Sequence, residues 1–228
     1  MGIKFMAFGR ELFIHDTVIN SWIIVIALSI FALVVNSKVK KAKVDEKPKG
    51  LLNVVEIFVG LVQSLVKSTM GTGPTRDRLM PYIGTLLLYI ACANLSGLLG
   101  VSPPTSDYNV TLALAIITFT LTQYYGIKTN GIGGYIKGYF DPNPVMLPLN
   151  IVGELSNPIS LSFRLFGNIL SGGIIMSLVY EALRYISPLI TPALHAYFDI
   201  FSGLVQTFIF AMLTMVFVGG NLPDEEGI

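Results

Sequence analysis

From Leu147 to Leu183 the chain is almost continuously apolar, and near the middle of that run stands Arg164. A run of this kind demands a helix, because inside a bilayer only helices and closed barrels satisfy their own backbone hydrogen bonds. As one helix it would extend about 55 Å against a hydrocarbon core of about 30 Å, so strong tilt or kinking is expected. The guanidinium constrains the rest. Arginine keeps its proton at any accessible pH and cannot lower the cost of a low-dielectric site by neutralising. A charge in that position reads as part of an ion or substrate path.

Composition agrees with a membrane protein. Hydrophobic residues make up 53% of the chain and charged ones 13%, with a mean hydropathy of +0.68, far from the balance of soluble domains. A net charge of +1 gives no basis for nucleic-acid binding. The single cysteine, Cys92, excludes an internal disulfide framework and reads as a small buried hydrophobe. Gly71-Thr-Gly-Pro74 has no lysine after it and is not a phosphate loop. We expect no catalytic residues, no metal site and no cofactor in this chain.

The spans can be set in order from the N-terminus. The first apolar run, Val18 to Val35, follows a tail bearing Lys4, Arg10, Glu11, His15 and Asp16 with no small-residue cleavage pattern behind it, so it is expected to be retained as a helix (18–36). Lys38, Lys40, Lys41, Lys43, Lys47 and Lys49 come next. Their density favours a cytoplasmic loop, and hence an external N-terminus. Segment 51–71 carries Asn53, Glu56, Gln63, Ser64 and Lys67 on one stripe, which suits a helix lying in the membrane interface or packing that stripe against a partner. Two spans follow, 81–99 and 110–125, joined by an outward loop without lysine or arginine. Gly126 to Pro148, with Lys128 and Lys137, is expected to be a cytoplasmic loop.

The last two runs, 147–183 and 193–219, flank a segment containing Pro188 and Pro192, which suits the bend of an antiparallel hairpin. Folding there sets Asn168 opposite Gln206, and Gly172 and Gly173 opposite Asp199, to within about one turn. The costly polar groups collect on this hairpin. Arg164 and Asn168 are at i and i+4, Asp199 and Gln206 at i and i+7. Glu154 lies toward the cytoplasmic entry, and His195 and Asp199 toward the external end. Two ionisable clusters thus flank one fixed cation. Asn94 and Gln123 read as interhelical hydrogen-bond donors and acceptors, and Glu181 with Arg184 as an exposed i,i+3 pair. The fold class expected is an all-α membrane protein: about five membrane-embedded helices plus one interfacial amphipathic helix, the last two forming a long tilted hairpin.

Four stretches carry a family resemblance: Ala-Asn94-Leu-Ser-Gly-Leu, Ser-Pro-Pro-Thr-Ser-Asp-Tyr-Asn109-Val-Thr-Leu-Ala, Leu-Ser-Phe-Arg164-Leu-Phe-Gly-Asn168 and Gln206-Thr-Phe-Ile-Phe. Together they resemble subunit a of the F-type ATP synthase, over most of the chain. The resemblance implies that Arg164 is the family's essential arginine, Asn168 the asparagine one turn later, and Gln206 the glutamine of the last helix. It also implies a non-catalytic stator subunit in a bacterial plasma membrane, facing a rotating c-ring, held by peripheral-stalk b subunits, and passing ions through two half-channels divided by Arg164. One departure stands out. Many relatives carry a carboxylate five residues after the asparagine, paired with a histidine seven before the glutamine; here those positions are Gly173 and Asp199. The competing expectation is a self-contained secondary transporter in which Arg164 binds an anion. Such transporters are commonly built from repeated halves, and no internal repeat of the polar hairpin is visible.

Overall fold

The computed structural model describes residues 2–7, 10–42, 49–141, 143–183 and 186–223. Its body is helical: α1 (Asp16–Val39), α2 (Leu51–Met70), α3 (Pro74–Leu95), α4 (Tyr108–Gly138), α5 (Leu147–Ala182), α6 (Ser187–His195) and α7 (Gly203–Gly219), with a π-helical turn, Ala196–Ser202, joining the last two. Among the described residues six helical stretches are long and apolar enough to cross a membrane. That matches the expected five embedded helices and one more, in an all-α membrane protein. Ahead of α1 a short antiparallel hairpin, β1 (Gly2–Ala7) and β2 (Arg10–His15), pairs Phe5 with Leu12. In sequence this segment reads only as a charged tail. A two-stranded hairpin is marginal by itself.

Local chemistry explains where the helices begin and bend. Pro74 opens α3 in its first turn, where a missing N–H costs nothing. The helix therefore starts a full two turns before the expected 81, with Pro81 inside it. Asp107 caps α4, its carboxylate accepting from the Asn109 N–H at 2.9 Å. The expected loop from Gly126 is instead helical as far as Gly138, broken only at Gly131, where φ is +68°. Glycine takes that angle at little cost, and the chain folds back there. Tyr135 comes to lie so close that a Cβ on Gly126 would stand 2.5 Å from its ring. Long-range packing thus outweighs a glycine-rich local sequence. The final helix likewise starts at Ser187 rather than 193, with Pro192 inside it. Lys43, Lys47 and Arg184 lie outside the described residues.

Two buried clusters hold the body together. Val62, Val66 and Met70 of α2 pack with Leu79 and Ile83 of α3 and with Met215 and Val218 of α7. Leu86 and Ile90 of α3, Ala115 of α4, Leu161 and Leu165 of α5 and Phe210 of α7 form the second. In α2 the apolar stripe takes the buried side, leaving Asn53, Glu56, Gln63, Ser64 and Lys67 exposed. The polar stripe therefore does not face this chain's own core.

Polar contacts tie the two ends of the bundle. At one end Thr17 donates to Asp107 at 2.9 Å and Asn20 to the Ser102 carbonyl at 2.9 Å. At the other, the buried guanidinium of Arg76 donates to the carbonyls of Met70, Thr72 and Pro223, closing α2 against the end of α7. These contacts put residues 17–20 beside 102–107, and 70–76 beside 223.

Candidate functional site

The polar residues of the hairpin fall into three groups along α5. Its 36 residues extend about 54 Å. Leu161 and Leu165 are buried on its inner side, and Tyr108 packs against Phe163 and Phe166 at ring-centroid distances of 4.8 and 5.7 Å. These contacts fix the helix rotation, and with it the direction of Arg164. Arg164 is exposed, among exposed Ile159 and Phe163, and no hydrogen bond or ion pair engages it among the described residues.

One turn on, Asn168 is half-buried, and its side-chain oxygen accepts from Ser202 Oγ at 3.0 Å. A Cβ on Gly172 would meet the Phe198 ring at 3.4 Å. The hairpin register therefore runs Asn168 to Ser202 and Gly172 to Phe198, one turn from the expected Asn168–Gln206 pairing. Ser202 was not singled out from the sequence; with a register good only to a turn, nothing distinguished it from Gln206. Gln206 itself is 5% exposed. Its Nε2 is buried without a hydrogen-bond partner. A buried amide donor left open is costly and calls for an explanation.

The packing around Gln206 is polar as well. Asn94, 2% exposed, donates to the Gly203 carbonyl at 2.9 Å and to Thr207 Oγ1 at 3.1 Å, and accepts from Thr105 Oγ1 at 2.8 Å. It joins α3, α7 and the 102–107 loop, the interhelical role expected of it. Close approach is possible because Gly203 has no side chain: a Cβ there would stand 3.2 Å from the Asn94 Cβ.

Glu154 sits apart, ten residues and about 15 Å before Arg164. It accepts from Gln123 Nε2 at 3.0 Å, while the Gln123 oxygen accepts from Tyr135 and, at 3.5 Å, from Tyr139. Pro158, four residues on, has no N–H, so the Glu154 carbonyl loses its helical partner too. Glu154 lines a small cleft with Thr118, Thr122, Asn157 and Leu161. Tyr135 and Tyr139 were missed from sequence because their segment reads as a loop.

The third group is at the far end of the hairpin. His195 Nδ1 lies 2.5 Å from Asp199 Oδ2, and His195 Nε2 lies 2.8 Å from the Tyr180 hydroxyl. His195 and Asp199 are at i and i+4 across the start of the π-helical turn. Such turns recur where a helix is shaped for function rather than for regular packing. A Cβ on Gly173 would meet nothing within 4 Å, so room remains on this part of α5. The structure thus brings Asn168 to Ser202, and separately His195 to Asp199; Arg164 stands one turn from Asn168 with no contact across the hairpin among the described residues, and Glu154 stands toward the opposite end.

The comparisons with known proteins bear on the whole chain. Residues 18–219 match the family described as ATP synthase A chain. The chain is 34% identical to the sodium-ion-specific ATP synthase subunit a of Propionigenium modestum, over 92% of this chain and 75% of that one. It is 33% identical to ATP synthase subunit a of Moorella thermoacetica, over 90% and 89% respectively. To ATP synthase subunit a 1 of Chlorobium luteolum it is 38% identical over 73% and 72%. Six apolar helices, a polar hairpin and these matches lead to one conclusion: the chain belongs to the ATP synthase A chain family, the a subunits of F-type ATP synthases, non-catalytic multi-pass membrane subunits that serve ion translocation in the Fo sector.

Proposed function

We propose that this chain forms two offset aqueous half-channels that deliver ions to a rotating c-ring and take them away, with Arg164 separating the two. The observation that carries the reading is the exposed, unpaired guanidinium in the middle of α5. A bare cation on a lipid-facing surface is costly, so a carboxylate of another subunit is the partner that offsets it. Arg164 stabilises the ring carboxylate in its deprotonated form as it crosses between channels, and repels a free cation that would leak through. Asn168 and Gln206 stand beside that crossing. The Nε2 of Gln206, buried and open among the described residues, becomes a donor to the ring carboxylate or to channel water when its side chain turns toward the crossing. Asp199 and His195 belong to the external half-channel, Glu154 to the cytoplasmic one. Each unit charge that crosses carries about 2.3 kcal/mol per 100 mV, and several per ATP supply the cost of synthesis.

In this reading the chain lies in a bacterial plasma membrane with its N-terminus outside and C-terminus in the cytoplasm, in contact with the c-ring and with peripheral-stalk b subunits. The lysines after α1 support that orientation. So does the grouping of residues 17–20 with 102–107 at one end and 70–76 with 223 at the other. Single cysteines test it, in a Cys92→Ala background that removes the one natural thiol. Gly173→Cys should react with a membrane-impermeant thiol reagent from outside only, and Asn157→Cys, in the Glu154 cleft, from the cytoplasmic side only. Labelling of both from one side would replace the two half-channels by a single vestibule, as in a self-contained transporter.

Gln206→Leu separates transport from packing. Because Nε2 makes no hydrogen bond among the described residues, the assembled complex should keep its thermal stability or gain slightly. ATP-driven ion uptake should fall by about tenfold or more, the worth of a hydrogen bond to a charged group. Wild-type uptake in this variant would remove Gln206 from the ion path.

A further inference from the structure

Tyr180 is not among the residues to which the sequence assigns a role, yet its hydroxyl lies 2.8 Å from His195 Nε2, while His195 Nδ1 lies 2.5 Å from Asp199 Oδ2. Three polar side chains from two helices thus form one chain of contacts. An ionised carboxylate can only accept, so the proton between His195 and Asp199 belongs to Nδ1. In a neutral imidazole that leaves Nε2 bare, and a bare nitrogen needs a donor. The phenol supplies it. Which nitrogen of a histidine carries the proton is set by the hydrogen bond that the other makes.

We propose that Tyr180 is a positioning residue: it holds His195 in the Nδ1–H tautomer, and His195 in turn occupies Asp199 Oδ2, leaving the other carboxylate oxygen to receive the coupling ion. The proposal rests on the reading above that Asp199 lies in the external half-channel. Its physical content is preorganisation. Asp199 is on the π-helical turn and partly exposed at 26%, so packing alone leaves its carboxylate room to turn. Anchoring one oxygen through two successive hydrogen bonds to α5 gives the ion a fixed ligand in place of a freely turning carboxylate. The anchor also crosses the hairpin, so it couples the geometry of Asp199 to α5, the helix that bears Arg164. No proton is transferred in the clamp itself: the hydroxyl proton stays on the phenol and the Nδ1 proton on the ring.

Tyr180→Phe is the test, because the ring survives and only the hydroxyl is lost from an exposed side chain. The chain has two histidines, so a His15→Gln background leaves His195 as its one labelled histidine. In complete complexes assembled with a ¹⁵N-histidine-labelled copy of this chain, nitrogen chemical shifts should report Nδ1–H for the unmutated Tyr180 and a shift toward Nε2–H for Tyr180→Phe. In parallel, the external concentration of proton or sodium giving half-maximal ATP synthesis at fixed potential should rise about fivefold with the maximal rate nearly kept, the worth of one hydrogen bond.

An unchanged tautomer in Tyr180→Phe overturns the proposal whatever transport does. A changed tautomer with no change in ion dependence, while Asp199→Asn is impaired, overturns the functional half of it. Wild-type pumping by Asp199→Asn instead overturns the placement of Asp199 in the ion path, and is read separately from the nitrogen shifts.

Discussion

Complete complexes carrying Arg164→Ala should lose ATP-driven ion uptake by about 100-fold or more while still assembling. Assembly is expected to survive because the α5 packing around this position is carried by Leu161 and Leu165, 2% and 0% exposed, and by Tyr108 against Phe163. The guanidinium makes no hydrogen bond among the described residues. Transport is another matter: removing one member of a charge pair held away from water costs about 3–5 kcal/mol, which is about two to three and a half orders of magnitude in a rate or an equilibrium. Passive ion leak through the membrane sector should rise in the same variant, since the charge proposed to separate the two half-channels is gone. Arg164→Lys should recover only part of the loss, because a compact, strongly hydrated ammonium replaces a planar, weakly hydrated fork. Uptake in inverted vesicles and leak after removal of the soluble head measure both effects. Unchanged coupled uptake in Arg164→Ala would overturn the separator role and the half-channel arrangement built on it.

Asn94→Leu should show a large loss of stability for a substitution that preserves side-chain volume. The substitution is close in size, so little of its effect is cavity formation. What it removes is a set of three hydrogen bonds at a site 2% exposed. Thr207 Oγ1 keeps its own bond to the Gly203 carbonyl at 2.8 Å, whereas Thr105, fully buried at 0%, is left with a hydroxyl and no acceptor. Stranding such a group costs about 1–3 kcal/mol, and losing the bonds to Gly203 and Thr207 adds about 1 kcal/mol more. The midpoint for loss of this subunit from detergent-solubilised complexes should therefore fall by several degrees. Thr105→Val should return part of that loss in the double variant, since removing both partners is cheaper than removing one. Additive losses from the two substitutions would show that the bond between them contributes nothing.

Much of this architecture is written in local sequence. Apolar runs of the right length make membrane helices in any context, because the bilayer leaves no other solution for the backbone. Proline and aspartate mark where several of them start, as at Pro74 and Asp107. The polar hairpin, with Arg164, Asn168, Asp199 and Gln206, was legible too: charged and amide groups in apolar runs are few and stand out. The register of that hairpin was legible only to one turn, since helix periodicity says which residues share a face and not how far two helices slide past each other. That uncertainty hid Ser202 and Tyr180. Both are ordinary residues until a neighbouring helix brings Asn168 or His195 to them.

The sequence by itself determined the class of the protein, the number of its long helices and the identity of its central charge, because burial cost and backbone satisfaction depend on composition and length alone. Only the tertiary structure decided that Arg164 faces outward with no partner among the described residues, that Gln123 holds Glu154, and that Tyr180, His195 and Asp199 join in one chain of contacts. It also decided that the glycine-rich stretch after Gly126 turns back as helix. These are matters of helix rotation, sliding and close approach, set by how Leu161, Leu165, Phe210 and their neighbours interlock, and no local property of the chain encodes them.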